Sequence, residues 1–264
     1  MIKGTISNIT EQVIANVDTF KQRQLEIELT VIYLDATYIP LRRDTVSKEA
    51  VHIALGIKID GSKELLGYVI NPNEAISASE TLLLDLKSRG LTKPLLFITD
   101  GLKGIEDTIL SVYPKADIQR CLVHVMRNIA WKVRVSDRTA ILDDFKIIRK
   151  QNNKADATKL LNDFISKWGK TYPKVIDSLS GNKYLLTFFD YPEAIRSSIY
   201  TTNPIESFNK HLKRKFKSKI QFQTEKSLEK CLVSLNFKGS SRIFKGFGLA
   251  LGELKQKLID KCQI

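Results

Sequence analysis

Val31-Ile32-Tyr33-Leu34-Asp35-Ala36-Thr37-Tyr38-Ile39 decides the fold of this chain. The stretch is rich in β-branched and aromatic residues and holds neither Gly nor Pro, so it reads as a strand. Apolar residues fall on both of its faces, as in a strand at the centre of a sheet. One carboxylate, Asp35, interrupts the run. A charge in that setting is costly unless a cation or another partner satisfies it. The alternative is a carboxylate that caps a turn at the end of a shorter strand.

Downstream, Pro40-Leu41-Arg42-Arg43-Asp44 reads as a basic loop. Residues 51–59 (VHIALGIKI) form a second strand, Asp60-Gly61-Ser62 a tight turn, and residues 64–71 (ELLGYVIN) a third strand. These three make an antiparallel meander. Residues 76–89 read as a helix with Ile76, Leu82, Leu83 and Leu86 on one side and Gly90 as its C-cap. Residues 94–99 (PLLFIT) are a short apolar strand ending at Asp100-Gly101. A strand reached through a helix lies parallel to a neighbour by a right-handed crossover. A helix over 102–112 and a fifth strand over 116–121 complete the order β-β-β-α-β-α-β.

From His124 to about Arg196 the pattern turns helical, with Trp131, Leu142, Phe145, Leu160, Leu161, Phe164 and Trp168 as candidate core. A further helix opens at Asn203, a good N-cap, with Pro204 as first helical residue and Glu206 at the third position. Another helix follows over 224–237. Upstream of the decisive strand, Ile6, Ile9, Val13, Val17 and Phe20 recur at helical spacing over residues 5–24.

Strands one and four, if adjacent and parallel, set Asp35 and Asp100 side by side, with strands about 4.8 Å apart. Two carboxylates that close repel when ionised. A divalent ion removes the repulsion, and two ions can clamp a phosphodiester for in-line attack. Hard oxygen ligands suit Mg2+ or Mn2+. Glu206, on a helix packed against the sheet, is placed to be a third acid. Each acid also has a local reading: Asp100 as a turn residue, Glu206 as a complement to the helix dipole.

At 264 residues the chain can bury a full core, and its net charge of +13 favours an anionic partner, nucleic acid being the commonest. The charge is uneven. From Asn203 onward there are 14 Lys/Arg against 5 Asp/Glu, so +9 of the +13 lies in that quarter. The run Lys210-His211-Leu212-Lys213-Arg214-Lys215-Phe216-Lys217-Ser218-Lys219 follows Glu206 directly, and its place after an acid makes DNA-backbone contact the better reading than a merely solvated face. Cys121, Cys231 and Cys262 are odd in number and widely spaced, which is no disulfide framework and fits a reducing cytoplasm. Neither a signal-peptide run nor a membrane-length apolar segment is present, so no membrane association is expected.

With these residues in view, the chain closely resembles the catalytic part of the Mutator-type transposases of bacterial insertion sequences, a DDE family with an RNase H-like fold. The likeness runs from about Gly4 to Asn236. It rests on Leu34-Asp35-Ala36, Thr99-Asp100-Gly101-Leu102-Lys103-Gly104, Gln119-Arg120-Cys121-Leu122-Val123-His124-Val125-Met126-Arg127-Asn128 with its C-x-x-H element, Lys167-Trp168-Gly169, Tyr172-Pro173, and Tyr200-Thr201-Thr202-Asn203-Pro204-Ile205-Glu206-Ser207-Phe208-Asn209.

The resemblance implies an α/β fold: an RNase H-like mixed five-stranded sheet flanked by helices, with an all-helical insertion between the fifth strand and the helix of the third acid. It divides the chain into residues 1–24, a remnant of an N-terminal DNA-binding region; 25–124 and 197–237, the two parts of the catalytic core; 125–196, the insertion; and 238–264, a basic tail. It implies that Asp35, Asp100 and Glu206 hold two Mg2+ or Mn2+ ions, with no small-molecule cofactor. His124 is then a catalytic candidate that contacts the scissile phosphate or orients a ligand, or else is structural; a zinc site lacks a second ligand pair. Arg42, Arg43, Lys103, Arg127, Asn203, Lys210, Lys213, Arg214, Lys215 and Lys217 are the DNA-contact candidates. Trp131 and Trp168 belong to the core, with base stacking as the alternative. The implied activity is cleavage and strand transfer of transposon ends into target DNA by a homodimer or larger assembly, in the cytoplasm at the nucleoid. Most of the family's N-terminal end-recognition region is expected to be missing. The alternative is a truncated, impaired fragment that binds DNA or a full-length partner.

Overall fold

Five strands form one mixed sheet: β1 (Glu28–Arg42), β2 (Val46–Ile57), β3 (Lys63–Asn71), β4 (Lys93–Thr99) and β5 (Asp117–Arg120). Their order across the sheet is β3-β2-β1-β4-β5. β1 pairs antiparallel with β2 and parallel with β4; β2 pairs antiparallel with β3, and β4 parallel with β5. An antiparallel meander extended by two parallel strands beside its first strand is the RNase H-like α/β arrangement. The structure, a computed structural model, describes residues 16–26, 28–72, 75–216, 221–239 and 243–263. Of the helix read over 5–24, residues 16–22 (α1) are helical; Ile6, Ile9 and Val13 lie outside the described residues.

β1 is longer than the apolar stretch that announces it. It runs on through Pro40 to Arg42, where β4 has already ended. There the Phe222 segment takes the vacant side: Phe222 N–H donates to Pro40 O (3.1 Å) and Arg42 N–H to Phe222 O (2.8 Å). Pro40 lacks a donor but needs only its carbonyl at this position, so the strand tolerates it.

Alternation along β1 divides the core in two. Ile32 and Leu34 join Phe97 and Ile118 beneath α2 (Ile76–Ser88) and α3 (Ile105–Val112). Val31 and Tyr33 face the other way, with Ile53, Leu55, Leu96 and Ile98, in a second cluster that continues outward through the remaining helices. α3 begins at Ile105, later than the expected residue 102. Gly101 and Gly104 both have positive φ (93° and 87°), so the chain turns before the helix can start. A side chain at Gly101 would be strained by that φ and would displace the Arg120 guanidinium, which donates to Gly101 O at 2.9 Å.

The helical insertion is α4 (Leu122–Lys132), α5 (Val135–Ile148), α6 (Lys154–Gly169), α7 (Pro173–Asp177), a 3-10 turn (Thr187–Asp190) and α8 (Glu193–Ile199). It is tied to the sheet through buried Gln119 on β5, which donates to Leu185 O (3.0 Å) and accepts from Phe188 N–H (2.7 Å). Phe145 and Phe164 are buried, and Leu142, Leu160, Leu161 and Trp168 pack against them. Trp131 does not. It is 88% exposed, which corrects its assignment to the core: its helix turns Leu122, Val125 and Ile129 inward, and 131 falls on the opposite side. After α9 (Asn203–Phe216) and α10 (Glu225–Gly239), the stretch read as a basic tail folds into α11 (Lys245–Leu249) and α12 (Leu251–Gln263), with Phe247, Ala250, Leu254 and Leu258 buried. Their amphipathic spacing outweighs the basic composition. No helix among the described residues is long and apolar enough to cross a membrane.

Candidate active site

The parallel register of β1 and β4 pairs Val31 with Leu96 and Tyr33 with Ile98. Continued two residues, it sets Asp35 opposite Asp100. Both carboxylate residues line one cleft, with Leu34, Ala36, His52 and Thr99. Burial, and then the neighbouring Asp100, push the Asp35 carboxyl up to about 7. Its Oδ1 accepts the Ala36 N–H (2.9 Å) and its Oδ2 accepts the Asn209 amide (2.8 Å). Asp100 Oδ1 accepts the Leu102 N–H at 3.2 Å, so it organises the turn after β4 while facing the cleft.

Glu206 comes from α9. The first helical hydrogen bond, Glu206 N–H to Thr202 O (2.9 Å), makes Thr202 the N-cap, one position earlier than Asn203. Asn203 and Pro204 are then the first two helical residues, where a missing N–H costs nothing. Thr202 spends its side chain elsewhere. Its buried Oγ1 lies 3.3 Å from Cys121 Sγ, 3.2 Å from His124 Nδ1 and 3.4 Å from Glu206 Oε1. Burial raises the Cys121 thiol, but hydrogen bonds with His124 and Thr202 outweigh it and hold the thiol below its ordinary value. The Cys121 bond, against burial, raises His124, and the carboxylates of Asp100 and Asp35 add to it.

The Glu206 carboxylate is committed to Arg127, at 2.8 Å and 3.4 Å, with His124 Nε2 3.7 Å away. Burial pushes its carboxyl up; the Arg127 hydrogen bond and charge, then His124 and Lys210, more than reverse this. His124, Arg127 and Trp131 lie one to two turns apart on α4 and so share one face, of which His124 and Arg127 reach Glu206.

The donors are hard oxygens, the kind Mg2+ or Mn2+ takes. A divalent ion would offset both the burial and the Asp100 repulsion that raise Asp35, so Asp35 and Asp100 suit one. Glu206 would have to leave Arg127 to join them. Among the described residues no three His, Cys, Asp or Glu side chains stand together as a ready ligand group.

The other sequence candidates separate by environment. Lys210, Lys213 and Arg214 are exposed on α9, Asn203 at its first position and Lys103 just after β4; Arg42 is exposed at the far end of β1, well beyond Asp35 along the strand. Arg43 is held by Glu49 (2.5 and 2.9 Å) and Glu225 (2.8 Å). The side chain of Lys215 and the whole of Lys217 lie outside the described residues. Thr202 and Asn209 were not singled out from the sequence as site residues. Their signal was their place in the motif that contains Glu206.

Residues 1–240 match the family model described as Transposase, Mutator family. The chain is 49% identical over 249 residues to the transposase for insertion sequence element IS905 of Lactococcus lactis subsp. lactis (strain IL1403), covering 93% of this chain and 64% of that one. It is 51% identical over 225 residues to the transposase for insertion sequence element IS1201 of Lactobacillus helveticus, covering 85% and 61%. The chain thus spans less than two thirds of the length of these relatives. A solved structure, the catalytic domain of Mos1 mariner transposase, aligns over 96% of this chain and 88% of that one with a TM-score of 0.35 and 10% identity, too loose for any residue correspondence. Matched over most of its length, this chain belongs to the Mutator family of transposases.

Proposed function

We propose that the chain is the catalytic part of a DDE transposase, which cuts DNA at the ends of an insertion sequence and joins them to target DNA. The observation that carries this reading is the pair Asp35 and Asp100 in one cleft, Asp35 within the central strand and Asp100 directly after the end of the parallel strand beside it. Asp35, Asp100 and Glu206 would hold two Mg2+ or Mn2+ ions, which when bound supply activation of water or a DNA 3′-OH and stabilisation of the leaving oxygen. The protein's own side chains do the rest. Glu206 turns from Arg127 toward the aspartates, and the freed Arg127 guanidinium pairs with a DNA phosphate. His124, whose pKa its contact with Cys121 and the nearby aspartates raise, donates to the same phosphate when protonated. Lys210, Lys213 and Arg214 track the backbone, with Lys103, Arg42 and the Asn203 end of α9 flanking them. Exposed Trp131 stacks on an unpaired base beside the cut. Arg43 is set aside as a structural partner of Glu49. The chain works as a dimer or larger assembly on DNA, in the cytoplasm.

The test is incubation of the chain with Mg2+ or Mn2+ and labelled DNA carrying the element's own end, beside Asp100→Asn. Nicking or joining by the wild type and not by the variant supports the reading. DNA binding without cleavage in either metal moves the chain to a second reading: a fragment that occupies DNA or a full-length partner. What favours that reading is the engagement of Glu206 by Arg127.

A further inference from the structure

Three residues after Glu206, on the same side of α9, stands Asn209. It is only 6% exposed. Its Nδ2 donates to Asp35 Oδ2 at 2.8 Å, across from helix to central strand. Its Oδ1 is buried and meets no donor among the described residues. A buried amide oxygen left without a partner is destabilising. The neighbouring inward positions of α9, Ile205, Phe208 and Leu212, are apolar and buried. Packing alone would favour an apolar residue at 209 as well.

We propose that Asn209 is a positioning residue of the active site: its amide orients the Asp35 carboxylate for a divalent cation and fixes the Glu206 helix to β1. This rests on the metal-site reading above. The chemistry explains why an amide stands here. Arg or Lys would neutralise Asp35 and compete with the cation. Asp or Glu would add a third like charge. The neutral amide donates one hydrogen bond and leaves the charge in place. Asp35 then spends one acceptor position of each oxygen, on Ala36 and on Asn209, and keeps the second of each free toward a cation. Such supporting hydrogen bonds typically carry about 10- to 100-fold in metal affinity.

The experiment is Mn2+ titration of the full chain, free Mn2+ being read by electron paramagnetic resonance, with melting temperature recorded for every variant. Wild type, Asp100→Asn and Asn209→Leu are compared. The expected result is a Mn2+ affinity about 10- to 100-fold weaker in Asn209→Leu than in wild type, with the melting transition kept. Equal Mn2+ affinity of Asn209→Leu and wild type, with Asp100→Asn impaired, overturns this inference and leaves the metal-site reading intact. Equal affinity of wild type and Asp100→Asn overturns both. Should Asn209→Leu not fold, Asn209→Asp decides. It places a second carboxylate against Asp35, so its metal-free melting temperature at pH 8 falls below wild type and Mn2+ raises it by more than it raises wild type. A metal-free melting temperature and a Mn2+ response equal to wild type overturn the proposal.

Discussion

Asp35→Asn should make the metal-free protein more stable at neutral pH, and the gain should grow with pH. The unfolded carboxyl titrates near 3.8 and the folded one at about 7. An acid raised by folding contributes nothing against stability below its unfolded value, where both states are protonated. The cost accumulates as pH rises from 3.8 and is complete above about 7. Each pH unit is worth about 1.4 kcal/mol, so the cost is about 1.6 kcal/mol at pH 5 and about 4 kcal/mol by pH 8. The amide variant never ionises. It also keeps both hydrogen bonds: its oxygen accepts from Ala36, and its NH2 meets Asn209, whose side chain flips to present the Oδ1 that now lacks a partner. For a chain of this size about 4 kcal/mol corresponds to roughly 10 °C in melting temperature. Thermal melts followed by circular dichroism in chelator, from pH 5 to pH 8, read this directly. A difference between variant and wild type that stays flat across that range, or a variant less stable at pH 8, would refute the claim that Asp35 is an ionised group held at a cost.

Arg43→Ala should lower stability by about 2–3 kcal/mol in urea titration while leaving DNA affinity within twofold, because it strands Glu49, which is 1% exposed. Replacing Lys210, Lys213 and Arg214 together with Gln should reduce the slope of log DNA affinity against log salt by about 2–3, read by fluorescence anisotropy, with no sequence preference in the loss. Trp131→Ala should shift unfolding by less than about 0.5 kcal/mol, yet weaken binding to single-stranded or frayed DNA by about 1–3 kcal/mol. Arg127→Ala should release Glu206 and raise Mn2+ affinity in the absence of DNA by up to roughly fivefold in calorimetry, the worth of one partly exposed ion pair.

The sheet was legible because its strands carry their own evidence. Val31–Ile39 and residues 94–99 are apolar on both faces, which only a covered central sheet explains. The crossover rule then made them parallel neighbours, and from the register alone Asp35 and Asp100 meet. Other features depend on tertiary contact and left no local trace. Pro40 hid the last turn of pleat in β1, whose outer partner comes from Phe222, more than a hundred and eighty residues away in sequence. Trp131 was misjudged because aromatic residues usually lie inside, whereas the phase of Leu122, Val125 and Ile129 on α4 places it outside. The Glu206 to Arg127 pair joins two motifs seventy-nine residues apart. Each motif was visible alone, and their pairing was not.

α9 shows why one short motif can carry so much of the site. Its residues divide by helical phase into three functions. Ile205, Phe208 and Leu212 anchor it in the core; Lys210, Lys213 and Arg214 stand in solvent; Glu206 and Asn209 lie between, on the edge that faces the cleft. A rigid helix therefore couples the position of the acid, the amide on Asp35 and the basic face. Thr202 starts that helix and reaches into the Cys121–His124 pair at the root of α4, so the two helices that bear Glu206 and Arg127 share one buried hydroxyl. Movement of α9 relative to α4 would change the Glu206–Arg127 contact, the Thr202 contacts and the Asn209 bond together. Any exchange of Glu206 from Arg127 to a cation beside the aspartates would therefore act on a helix tied to α4 through Thr202 and to β1 through Asn209.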